Sequence, residues 1–98
     1  MLHIINRSPF SDNTLENCLN TAAGGEILLI EDAVCAATSG NAFEKKLRAA
    51  MGRFKISVLS PDLEARGLAE RLIDGVSPVD YGGFVDLTVN NKTCQSWL

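Results

Sequence analysis

Three cysteines and one histidine are the residues of this 98-residue chain with most chemistry to offer, and their spacing restricts what that chemistry can be. Cys18, Cys35 and Cys94 are odd in number and far apart, which fits neither a disulfide framework nor a zinc-ligand pattern. At least one is a free thiol in a monomer kept in a reducing compartment. Cys18 shares the apolar stripe of a predicted helix with Leu15, Leu19 and Ala22 and has no lysine, arginine or histidine close by in sequence, so its position also suits a buried, inert thiol. Cys35 follows a strand and reads as a small packing residue, and Cys94 as an incidental thiol near the terminus. His3, the single histidine, falls inside an apolar β run, where a packed structural role outweighs that of a general base. There is no nucleophile elbow and no adjacent Cys/His pair.

Acids gather where strands end. Glu31 and Asp32, Asp62, and Asp80 follow predicted strands; together they could hold a divalent cation, but Asp32, Asp62 and Asp80 each suit the start of a helix as capping or dipole partners. No metal and no organic cofactor is expected. Four acids against Arg7 make a poor phosphate site. Gly24-Gly25 follows a helix and opens a strand, the reverse of a phosphate cradle, and so reads as a helix C-cap.

The elements that must position these groups alternate along the chain. Ile27 to Ile30 is an uninterrupted apolar strand whose two faces both want burial, as at the centre of a helix-covered parallel sheet. It is followed by a small-residue helical turn, Ala33 to Thr38, with Asp32 as its expected N-cap. Before it come a strand at Leu2 to Ile5, a break at Pro9, and a helix from Ser11 or Asp12 to about Ala23. After it come a helix with the capping-box-like pair Asn41 and Glu44 and the stripe Phe43, Leu47, Ala50 and Met51, then a strand at Lys55 to Leu59. Ser60-Pro61-Asp62 opens a short helix with Ser60 as cap. Val76 to Val79 is a strand that Pro78 assigns to a sheet edge or a strand end, Asp80 caps a last helix with Tyr81, Phe84, Val85 and Thr88 inward, and Thr93 to Leu98 forms an edge strand. This alternation predicts one domain over residues 1–98, an α/β three-layer sandwich on a mainly parallel five-stranded sheet.

Composition excludes other classes. A net charge of −3 with scattered basic residues argues against a nucleic-acid footprint, and the small group Lys45, Lys46 and Arg48 reads as a solvated helix face. No apolar run nears the roughly 18 residues of a membrane span, and MLHIINRSPF has no signal-peptide pattern, so a cytoplasmic protein is expected.

In order, LHIINRSPF, GEILLIEDAVCAAT, PDLEARGL, VDYGGFVDLT and the terminal QSWL resemble the DsrH/TusB family of small sulfur-relay subunits along essentially the whole chain. The resemblance implies a DsrE-like fold and a place as the smallest subunit of a heterohexamer with DsrE/TusD-like and DsrF/TusC-like partners. Such a complex takes persulfide sulfur from a TusA-like donor and passes it to a TusE-like or DsrC-like acceptor, for tRNA 2-thiouridine synthesis or for dissimilatory sulfur oxidation. It implies no direct contact with nucleic acid or membrane. SPFSDNTLENCLN resembles sulfur-oxidiser members with cysteine at the place of Cys18, which makes Cys18 the candidate sulfur-carrying thiol of a transfer component that is not a stand-alone enzyme. The alternative is a structural subunit whose partner carries the reactive cysteine.

Overall fold

The structure, a computed structural model, describes residues 1–97. Strand β1 (Leu2–Ile5) leads to helix α1 (Thr14–Thr21), strand β2 (Gly25–Leu29) to a 3-10 helix (Glu31–Ala37) and helix α2 (Glu44–Ala50), and strand β3 (Phe54–Leu59) to helix α3 (Ser60–Ala65). A second 3-10 turn (Ala69–Arg71), strand β4 (Ser77–Val79), helix α4 (Tyr81–Asn90) and strand β5 (Cys94–Trp97) complete the chain. The strands form a parallel five-stranded sheet in the order β4-β3-β2-β1-β5, so the apolar strand β2 is central and the Pro78-containing β4 is an edge.

Alternation along the strands sorts their side chains between two layers. On one side Ile5, Ile27, Leu29, Phe54, Ile56 and Val58 meet α1, α2, α3 and the first 3-10 helix through Leu15, Cys18, Val34, Leu47 and Leu63. On the other, Leu2, Ile4 and Leu28 meet Phe84 and Leu87 of α4. Among the described residues α4 alone contributes helical cover to that second side.

Glycine is needed where chain segments crowd. Gly25 has φ +116°, and a Cβ there would stand 2.6 Å from the Met1 carbonyl oxygen, so the turn from α1 into β2 admits no side chain. Gly83 packs α4 against the end of β4, where a Cβ would come within 2.9 Å of Val79 Cβ.

Several local expectations are corrected. Helix α1 starts after Asn13 rather than Ser11 or Asp12, and its C-cap is Ala22, so Gly24-Gly25 forms the turn into β2 and not the cap. Asp32 does not cap the 3-10 helix, which begins one residue earlier and has no side-chain cap; its carboxylate is taken by Arg66. Ser60 is the first residue of α3 rather than its cap. On α4 the inward side chains are Phe84 and Leu87, with Tyr81 and Val85 outward, because Gly83 turns that flank of the helix onto Val79. Asp80 does cap α4, accepting from the Gly83 N–H at 2.7 Å.

Candidate functional site

Cys18, the residue singled out for sulfur chemistry, lies at the centre of α1 with no exposed surface, among the apolar side chains that seal this helix to the sheet. Its placement follows from the stripe: Leu15, Cys18 and Leu19 are the three buried residues of α1. Burial pushes the Cys18 thiol up to about 11, with no cation to oppose the shift. A thiol held so is protonated and shielded, the opposite of what attack on a sulfane sulfur requires.

The other two cysteines differ. Cys35 is half-buried in the 3-10 helix that leaves the central strand, and Cys94 is exposed on the edge strand β5. The Cys35 backbone carbonyl accepts from the Thr38 hydroxyl at 2.7 Å and from the Asn41 amide at 3.2 Å, so its turn is anchored to the loop ahead of α2.

The carboxyl ends of β2 and β3 bring together a charged group that spacing only half indicated. The Glu31 N–H donates to Asp62 Oδ2 at 2.6 Å, and Arg66 donates to Asp32 Oδ1 from Nη2 at 2.8 Å and from Nε at 3.2 Å. Arg66 is held protonated beyond its ordinary range, first by that hydrogen bond and then by the charges of Asp32 and Asp62, with Cys35 also within electrostatic reach. The carboxylates of Asp32 and Asp62 are therefore engaged within the chain, whereas Glu31 contributes only its backbone N–H, and Arg66 is the partner that sequence reasoning missed. Its one sequence signal is its place four residues after Asp62 on α3, where Nη1 also donates to the Asp62 carbonyl at 3.2 Å. Asp80 stays apart as the α4 cap, and Arg7 pairs with Asp12 at 3.2 Å. No group of three histidine, cysteine, aspartate or glutamate side chains is placed to hold a metal ion among the described residues.

The basic group on α2 is largely paired too: Lys46 bonds Glu16, and Arg48 bonds Glu44 at 2.7 Å. His3 is 4% exposed, with Nδ1 accepting from the Trp97 indole. No helix among the described residues is long and apolar enough to cross a membrane.

The family described as DsrH like protein matches residues 7–94. The chain belongs to the DsrH/TusB family. It is 38% identical over 97 residues to Protein TusB of Escherichia coli O1:K1 / APEC, covering 99% of this chain and all of that protein. Protein TusB of Shigella flexneri is 37% identical over the same span. Among solved structures, the ychN protein from E. coli superposes with a TM-score of 0.80 at 19% identity, covering 97% of each chain. MTH1491 from Methanobacterium thermoautotrophicum gives 0.70 at 15% identity, over 97% of this chain and 95% of that one. These two likenesses establish the shared fold, and the sequence relatives establish the family. As a DsrH/TusB protein the chain is a subunit of a sulfur-relay complex.

Proposed function

We propose that this DsrH/TusB protein serves its relay as a structural subunit, and that the persulfide is carried by a cysteine of the DsrE/TusD-like partner. The complex would be the cytoplasmic heterohexamer completed by a DsrF/TusC-like subunit. Full-length likeness to TusB proteins favours the tRNA 2-thiouridine branch over sulfur oxidation.

The observation that carries this reading is the burial of Cys18. With its thiol at about 11, roughly one molecule in ten thousand is ionised at pH 7, and that thiolate has no exposed surface. A carrier role asks more. The Cys18 thiolate would attack the terminal sulfur of a donor persulfide, releasing the donor thiolate and leaving Cys18 as the persulfide, and it would need α1 to lift off the sheet in each cycle.

The test is to assemble the chain with both partner subunits, add a persulfide-charged TusA-like donor, and map the added sulfur by mass spectrometry of peptides. Sulfur on the DsrE/TusD-like subunit with Cys18 unmodified is the expected result. A thiol-reversible sulfur on Cys18 would overturn the structural reading and establish the carrier. Replacing the TusE-like acceptor by a DsrC-like one in the same mixture tests the branch, with faster discharge to the TusE-like protein expected.

A further inference from the structure

Helix α4 has apolar residues on two faces, and the fold uses one. Phe84 and Leu87 turn to the sheet, whereas Tyr81, Val85 and Val89, spaced four residues apart, are 63%, 57% and 75% exposed. These are the most exposed large apolar side chains among the described residues, and no residue of α4 is buried. Helix propensity does not account for them, since valine and tyrosine are poorer helix formers than the alanine, glutamate or lysine usual at solvent-facing positions. Apolar residues exposed singly need no explanation, whereas a row of them edged by polar residues is a feature of interaction surfaces.

We propose that the Tyr81/Val85/Val89 face of α4 is where this chain docks onto a neighbouring subunit of the relay complex, one of different sequence whose contact face is apolar and edged with lysine or arginine. The inference rests on the chain being a relay-complex subunit. Charge selects the occupant. Residues 80–91 include Asp80 and Asp86 and no basic residue. A second copy docking through the same face about a two-fold axis would bring Asp86, next to the central Val85, close to its own counterpart with no basic residue of the helix to offset it. A subunit with a basic rim instead complements both acids while its apolar centre covers the row. Three side chains fall short of the roughly 800 Å² that each partner contributes to a standard interface, so they form its centre, with the acids at its rim.

The experiment is co-expression of the tagged chain with its DsrE/TusD-like and DsrF/TusC-like subunits, with native mass spectrometry of the assembly. Val85→Asp and Val89→Asp should each weaken assembly on the order of tenfold or more. The isolated variants should melt close to the parent chain, because neither side chain packs in the core. Lys45→Ser, on the opposite side of the sheet, should assemble normally. Hydrogen exchange on the unaltered chain supplies a readout independent of any variant: residues 81–91 should gain protection on assembly. If the parent chain assembles and the α4 variants do so equally well, with no added protection, the docking face is wrong while complex membership stands. If the parent chain does not assemble with these subunits, both readings fall. A homodimer dissolved by Val85→Asp would replace the proposed partner with a second copy and overturn the inference.

Discussion

The indole N–H of Trp97 on the last strand donates to Nδ1 of His3 on the first, at 3.1 Å, tying edge strand β5 to β1 through side chains as well as the parallel ladder. With Nδ1 accepting, the neutral ring carries its proton on Nε2. His3 also meets Phe54 edge-on at 6.2 Å between centroids, and the Arg53 guanidinium stands over that Phe54 ring. A second proton on His3 would point an N–H at the indole N–H.

Acidification should therefore loosen β5. Desolvation first, and then the charge of the chain's amino terminus, lower the His3 pKa below its ordinary value, against a hydrogen bond to the Gly24 backbone that raises it. A depressed folded-state pKa means that the stabilisation is fully present above the unfolded value near 6.5 and is lost as pH falls through the lower folded value. Thermal melts between pH 7.5 and 5 should show falling stability together with a change in the fluorescence of Trp97, the only tryptophan. In His3→Gln most of that pH dependence should vanish. An unchanged slope would assign it to other groups.

Cys18 should resist thiol reagents until the protein unfolds. A native-state titration with an aromatic disulfide is expected to modify exposed Cys94 quickly and half-buried Cys35 more slowly, with Cys18 reacting only in denaturant. Substitution should follow the same burial. Cys18→Ala loses a small apolar group and costs about 1 kcal/mol, whereas Cys18→Ser places a hydroxyl in an apolar site and costs about 1–3 kcal/mol unless it finds a partner. Denaturant melts of the two variants check the order, and alanine is the cleaner replacement in relay assays.

The start of α4 gives a paired prediction. Asp80→Ala removes the acceptor of the Gly83 N–H and should lower stability by about 1 kcal/mol. Gly83→Ala raises helix propensity yet should also destabilise, because the new Cβ would lie 2.9 Å from Val79 Cβ and overpacking costs about 1–3 kcal/mol. Urea melts would show a gain in Gly83→Ala only if that contact relaxes freely.

These sites also indicate what a sequence can carry. The run Ile27 to Ile30 identifies the central strand because consecutive apolar residues leave few alternatives, although Ile30 falls just past the end of β2 and is only partly buried, and Pro78 identifies an edge because it cannot serve a central ladder. The orientation of α4 is illegible for the converse reason. Tyr81, Phe84, Val85, Leu87 and Val89 surround the helix axis, so periodicity supports two faces, and the contact of Gly83 with Val79 decides between them. Likewise the apolar stripe announces that Cys18 faces the core, but Arg66 reaches Asp32 across 34 residues, a pairing no local spacing encodes. Leu98, the expected last residue of β5, lies outside the described residues.

The bend at the end of β2 should be adjustable without touching the core. Glu31 has φ +51°, a left-handed conformation that costs a non-glycine residue about 1–2 kcal/mol. Its N–H is held in that turn by Asp62 Oδ2 at 2.6 Å. Glu31→Gly relieves the strain but adds freedom to the unfolded chain, so a net gain of up to about 1 kcal/mol is expected. Asp62→Ala leaves the Glu31 N–H without its acceptor and frees Arg66 of one nearby charge, for a loss of about 1 kcal/mol. If the carboxylate matters chiefly by holding the bend, the double variant should lose less than the sum of the single effects implies, because glycine adopts the turn unaided. A double-mutant cycle in urea measures that coupling, and strict additivity would mean that Asp62 acts through Arg66 instead.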